Sequence, residues 1–183
     1  MSIPSAAAWH NPLPLALVRT DDSMSFARMA AGETGLPVAP HPGAFGVQRK
    51  NHTHEGIDLY APHGTPVFAV EAGTVVAVKP FTGPHAGLPW WLDTWVVFVE
   101  GPSGVVLYGE VEPSVAPGDV LAAGQVLGTV STVLSKDKGR PRAMLHLELH
   151  TAGSRIAPEW LVHDERPAQL LDPTPYLMTC TAG

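Results

Sequence analysis

Two segments of this 183-residue chain concentrate side chains that do metal chemistry. NHTHEGIDL sets His54 and Asp58 four residues apart, with Gly56 between them where the chain can turn sharply, and this spacing can converge two ligands on one ion. Much further along, MLHLELH reads as a strand, so His146, Glu148 and His150 share one face. Imidazole and carboxylate together suit zinc, and three protein ligands leave a fourth position for water, as in catalytic rather than closed structural sites. His52 lies two residues before His54, and His85 sits in the Gly/Pro loop FTGPHAGLPWWLD with Trp90 and Trp91. An isolated H-x-x-x-D match or a single strand histidine carries little weight.

The elements that must hold these residues follow from composition and pattern. With 45% hydrophobic and 15% charged residues, the chain has enough apolar material for one core, hence one domain. Gly 18 and Pro 19 are high for a helical protein, and long Ala/Leu/Glu/Lys runs at helical period are missing, so short strands joined by turns are expected. A formal net charge of -6 without a Lys/Arg cluster argues against nucleic acid or an anionic membrane as partner. The one cysteine, Cys180, rules out an internal disulfide. No apolar run is long enough for a membrane helix, and the opening MSIPSAAAWHNPLPLALVRTDD lacks the basic start and apolar stretch of a signal peptide. On that basis the chain is read as cytoplasmic, or exported if it is trimmed from a longer one; its oligomeric state stays open.

Residues 1–38 read as an N-terminal arm, with a short helix at SFARMAAGE (25–33) behind Asp22 and Ser23 as caps. Residues 39–183 form the β domain. TPVFAVEAGTVVAVKP predicts hairpin strands around Glu71-Ala72-Gly73, and TWVVFVEGPSGVVLYGEV a second hairpin around Gly101-Pro102-Ser103-Gly104. VAPGDVLAAGQVLGTV (115–130) repeats the grammar of residues 61–78. A short helix is expected around 166–171.

Taken in order, these blocks resemble the LytM/lysostaphin-type zinc endopeptidases, which cut peptide cross-links of bacterial cell walls. HEGIDLYAPHGTPVFAVEAGTVVAV is similar to the family's first ligand block and its strand pair, and VVLYGEV stands at its Tyr-x-His-Leu strand. VAPGDVLAAGQVLGTV, LHLEL and LDPTPYL match its Gly-Asp-x-Val…Gly-Gln-x-Leu-Gly, Leu-His-Phe-Glu and Asp-Pro-x-x-Tyr-Leu blocks, so the resemblance covers residues 43–177. It implies a mainly β fold, a compact antiparallel β-sandwich with a groove across the main sheet and short peripheral helices. It also implies zinc held by His54, Asp58 and His146, and a peptide or peptidoglycan fragment as partner. Glu148 matches a glutamate of the family and is expected to orient a ligand.

The family's two catalytic histidines are replaced, by Glu110 and by Met144. A thioether moves no proton, so Glu110 is the expected general base, and His150, on the strand face of His146, the expected second catalytic residue; His52 and His85 are the other candidates to replace the missing histidines. Two functions follow: a zinc metallopeptidase that hydrolyses peptide amide bonds with an altered catalytic set, or a catalytically degenerate zinc module whose groove binds a peptide or protein. A biotinyl- or lipoyl-type carrier, suggested by VAPGDVLAAGQVLGTV, lacks an acceptor lysine in a tight turn.

Overall fold

The computed structural model describes residues 8–180, so the first seven positions of the expected arm and the last three of the chain lie outside it. Its elements are mainly strands: β1 (Ala16–Thr20), β2 (Glu33–Pro37), β3 (Ile57–Tyr60), β4 (Pro66–Phe68), β5 (Gly73–Pro80), β6 (Trp95–Gly101), β7 (Gly104–Pro113), β8 (Val120–Leu121), β9 (Val126–Val130), β10 (Met144–His150) and β11 (Leu170–Leu171), with one helix, α1 (Thr174–Thr179). Strands β3 to β11 hydrogen-bond as one antiparallel sheet along the path β11-β10-β7-β6-β5-β8. β3 lies against β10, and β9 bridges β7 to β4. β1 and β2 form a separate parallel pair.

Alternation along β6, β7 and β10 decides what each face of the sheet carries. Val97, Val99, Val106, Tyr108, Leu145, Leu147 and Leu149 join the main core cluster. Val96, Phe98, Val105 and Leu107 point the other way into a smaller cluster, the face that also receives His146, Glu148 and His150. The leucines of β10 therefore anchor the strand from behind while its polar residues stand on the opposite side. Tyr108 is fully buried, and its hydroxyl accepts a hydrogen bond from the Val70 backbone N–H at 2.9 Å, tying β7 to the chain after β4.

The β6–β7 hairpin turns at Gly101–Gly104 as expected. The hairpin expected around Glu71-Ala72-Gly73 does not form: β4 pairs with β9, and β5 pairs with β6 and β8. The two repeated segments therefore interlock, the first strand of each copy pairing with the second strand of the other. Period-2 alternation reports which face a residue takes but not which strand it pairs with, so this exchange is invisible in the pattern.

The expected helix at 25–33 is only a 3-10 turn, Ser25–Arg28, without a side-chain cap. Asp22 instead accepts from the Met24 N–H at 2.8 Å, and the Glu33 carboxylate accepts from the Ala30 N–H at 3.0 Å, drawing the chain into β2. Within the expected arm, Trp9, Leu13 and Leu36 are buried in the main core, and Trp9 stacks on Tyr176 of α1 with centroids 4.7 Å apart. Near the other end the helix expected at 166–171 is displaced: Leu170 and Leu171 pair with β10, and α1 begins after Pro173, where Pro175 fits a first helical turn. No helix of the described residues is long and apolar enough to cross a membrane.

Candidate metal centre

β3 and β10 pair with Asp58 opposite His146, and β10 and β7 with His146 opposite Gly109. His54 comes from the segment leading into β3. Strand register thus brings together residues far apart in the chain. His54, Asp58 and His146 are all buried. His54 Nε2 stands 3.1 Å from Asp58 Oδ1 and 3.3 Å from His146 Nδ1, and His146 Nδ1 stands 2.9 Å from Asp58 Oδ1.

Outer partners determine what those atoms present to one another. His54 Nδ1 lies 3.0 Å from the Ala44 carbonyl, which can only accept, so Nδ1 carries the hydrogen and Nε2 a lone pair in the neutral ring. His146 Nε2 lies 2.8 Å from Glu148 Oε1, so it donates outward and leaves Nδ1 with a lone pair. Two ring nitrogens and a carboxylate oxygen then face each other within 3.3 Å, an arrangement that only a proton or a cation can satisfy. Ligands held about 2.0–2.1 Å from a tetrahedral ion stand roughly 3.3–3.4 Å apart, so a small expansion of this triangle, whose sides are 2.9–3.3 Å, would bring it to zinc spacing. The donors fit the metal in type, tautomer and spacing.

In the metal-free protein, the charges around the trio favour a proton among these atoms. Burial works against the charge on Asp58, but His54, His146 and Arg49 outweigh it and hold the carboxyl well below its ordinary range. Burial likewise pulls His146 down, and the carboxylates of Asp58 and Glu148 on its two nitrogens push it well above the usual imidazole value. Arg49 donates to Asp58 Oδ2 at 2.5 Å and to the Pro42 carbonyl at 2.9 and 2.7 Å, which leaves Oδ1 to face the histidines. Arg49 was missed in the sequence because nothing in its spacing distinguishes it from the neighbouring Lys50.

The trio opens onto a cavity of about 910 Å³ whose walls include Arg49, Tyr60, Phe81, Trp91, Arg140 and Met144. Glu110 lines it too. On β7, Gly109 pairs with Val96 and Val111 with Trp95, so Glu110 is the extra residue of a bulge, with φ 64. A side chain in this left-handed region costs roughly 1–2 kcal/mol, a strain held in place by the surrounding ladder. Its carbonyl accepts from the Ser131 N–H at 2.9 Å, while its buried Oε2 has no hydrogen-bond partner among the described residues. Burial, reinforced by the Asp58 charge, pushes the Glu110 carboxyl up to about 8.

The remaining expected residues scatter. His150 is fully buried behind Glu148, with Nε2 2.6 Å from Glu148 Oε2, and it is not on the cavity wall. This corrects the expectation that His150 faces the site: alternation gives it the right side of β10, but one pleat further on it is covered beside Phe98. Glu148 lies between the two imidazoles, and although burial opposes its charge, their hydrogen bonds hold it down to about 2. His52 reaches the cavity wall; His85 does not, its Nε2 lying 2.7 Å from the Thr94 carbonyl. Trp91 lines the cavity, whereas Trp90 is 63% exposed.

Similarity to known proteins gives the family. The profile of peptidase family M23 matches residues 52–158, more than half of the chain. The chain belongs to peptidase family M23. Two uncharacterized proteins, from Mycobacterium tuberculosis and Mycobacterium bovis, are each 30% identical to it over 124 residues, 68% of this chain and 26% of theirs. The chain therefore spans about a quarter of the length of these curated relatives. Among solved structures, LytU superposes with a TM-score of 0.51 at 21% identity, covering 77% of this chain and 83% of that one. The SpoIIQ–SpoIIIAH pore forming complex gives 0.50 at 18% identity, covering 96% and 94%. These likenesses show the M23 fold. All of His54, Asp58, Glu110 and His146 lie inside the M23 match, whereas β1, the 3-10 turn and β2 precede it.

Proposed function

We infer that this M23 chain is a zinc-dependent hydrolase of peptide amide bonds, acting on a peptide or peptidoglycan fragment, with Glu110 in place of a catalytic histidine. The observation that carries this reading is the set of inward lone pairs on His54 Nε2, Asp58 Oδ1 and His146 Nδ1, fixed from outside by Ala44 and Glu148. Zinc there would polarise the scissile carbonyl and acidify water. Glu110, on the wall of the same cavity, accepts the proton of the attacking water in its ionised form, which a cation at the trio would favour, and returns it to the departing amine. Arg140, on the same cavity wall, is a cation available to the developing oxyanion, a task Met144 cannot perform. The working division of the chain is the arm 1–38 and the zinc-binding domain 39–183.

The test uses zinc-loaded protein on a panel of cell-wall and glycine-rich peptides. Cleavage is expected, abolished by a chelator and by Glu110→Gln, with the variant still holding one equivalent of zinc. A zinc-loaded wild type that leaves the whole panel uncut refutes the reading. The second reading, a zinc-carrying module that binds a peptide without cutting it, is favoured by Met144 standing on the cavity wall without a proton to give. It predicts the opposite outcome, peptide binding without turnover.

A further inference from the structure

A second cavity, of about 420 Å³, lies beside the metal cavity. Tyr60 and Pro141 line both, so the two adjoin on either side of these residues. One wall comes from β3 and the segment leading into β10, through Tyr60, Pro62 and Ala143; the other comes from Phe26, Met29 and Pro37, in the turn and strand that precede the M23 match. Phe26 and Met29 are only half-buried, and they face a space that no side chain of the described residues fills. Phe26 meets the Tyr60 ring edge-on with centroids 6.3 Å apart. Thr34 donates its hydroxyl hydrogen to the Tyr60 carbonyl, which fastens β2 to β3 and keeps the added wall in place.

The cavity falls within the roughly 300–1,000 Å³ range of small-ligand sites, with an apolar lining and Glu33 and Arg142 among its polar groups. We propose that this cavity is a specificity subsite that takes a bulky apolar side chain of the peptide held at the metal centre. The N-terminal segment thereby sets a preference that the M23 region alone does not contain. Three features select this occupant. The larger part of the lining surface is apolar, the cavity adjoins the one where the peptide would react, and Tyr60 stands between them, where it would separate neighbouring residues of one extended chain. Adjacent side chains of an extended peptide point to opposite sides, so the residue next to the reacting bond can turn into the pocket while its backbone remains in the metal cavity.

This proposal rests on the peptide reading of the metal centre, and its test separates the two. Acetylated, amidated alanine pentapeptides carrying Leu, Phe, Gly or Asp at the central position are offered to the zinc-loaded full chain, and both binding by calorimetry and kcat/KM are measured. Leu and Phe peptides are expected to bind, and to be cut, at least tenfold better than Gly or Asp peptides. Phe26→Ala and Met29→Gln should erase that preference while zinc content and the circular dichroism spectrum stay unchanged. Met29→Gln keeps the side-chain length, so it covers the case in which Phe26→Ala fails to fold. Equal binding of all four peptides, or a preference that survives both substitutions, overturns the subsite. If nothing is cut but the Leu and Phe peptides bind in a Phe26- and Met29-dependent way, the hydrolase reading falls and the subsite stands.

Discussion

Replacing Gly56 by alanine adds a single methyl group at the most crowded point behind the metal centre. The added Cβ would lie 2.5 Å from the Leu147 carbonyl oxygen, 2.9 Å from Glu148 Cγ and 3.0 Å from His146 Cε1. Glycine is needed here for close approach: unlike Gly64 or Gly118, Gly56 has no positive φ, so alanine can adopt its backbone conformation. The chain does bend at Gly56, as its sequence suggests, and packing supplies the reason that the residue is glycine. The Leu147 oxygen belongs to the backbone of β10, paired to both β3 and β7, so it cannot swing aside as a flexible side-chain end could. Relief must come from separating β3 from β10, which pulls Asp58 away from His146. Overpacking of this kind costs about 1–3 kcal/mol, and disturbing what orients a metal ligand weakens affinity by about 10–100-fold. Zinc affinity is measured by competition with a chromophoric chelator, and stability by urea unfolding in excess chelator, so the two losses are read separately. A Gly56→Ala protein with wild-type zinc affinity and wild-type unfolding would refute the claim that this contact sets the ligand geometry.

Glu110 makes the metal-free protein pH-sensitive. Its folded carboxyl titrates at about 8 against an ordinary 4.5, so the folded state binds the extra proton, and stability present below pH 4.5 is lost as pH rises toward 8. On the order of a few kcal/mol is involved, and Glu110→Gln should flatten the profile and be more stable than wild type at pH 8 in chelator; parallel melting curves for the two proteins across that range would count against it. His150→Ala removes the donor from a buried carboxylate and leaves a void, for a loss of about 2–4 kcal/mol in urea unfolding, whereas His150→Gln, which keeps a donor, should lose less; equal losses would mean that packing alone matters. Reinstating the missing pair in Glu110→His/Met144→His should raise turnover of glycine-rich peptides by about 10²–10⁴-fold at unchanged zinc content, and no gain would show that the cavity differs from a peptidase site in more than these two side chains.

The convergence of His54, Asp58 and His146 was legible because their chemistry is local in type even though they are distant in sequence. A histidine and an aspartate flank a glycine, and a strand with leucines on one side shows polar groups on the other; the β3–β10 register then joins them. The β6–β7 hairpin was legible because its turn residues are diagnostic. What escaped depended on tertiary partners. β4 and β5 look like hairpin strands, yet each finds its partner in the second copy of the repeat. His150 shares the parity of His146 but is covered by the smaller core, a fact that alternation cannot report. SFARMAAGE has helical composition, but the Asp22 and Glu33 side chains close local turns and β2 ends it. Arg49 carries no signal of its pairing with Asp58.

The same comparison bears on how this site relates to its family. If the altered chemistry came with a decaying scaffold, the groups that only orient the ligands would be free to drift, since they touch neither metal nor substrate. They are instead fully engaged: the Ala44 carbonyl and Glu148 fix the two imidazoles, Arg49 turns Asp58, and His150 holds Glu148 from behind. Glu110, on a strained bulge, and Met144, two residues before His146, stand on the cavity wall. A buried carboxylate without a partner, held in a left-handed conformation, costs stability in two ways. Its placement beside intact ligands makes more physical sense as a group used in a reaction than as a neutral replacement, because an apolar residue there would have avoided the desolvation cost.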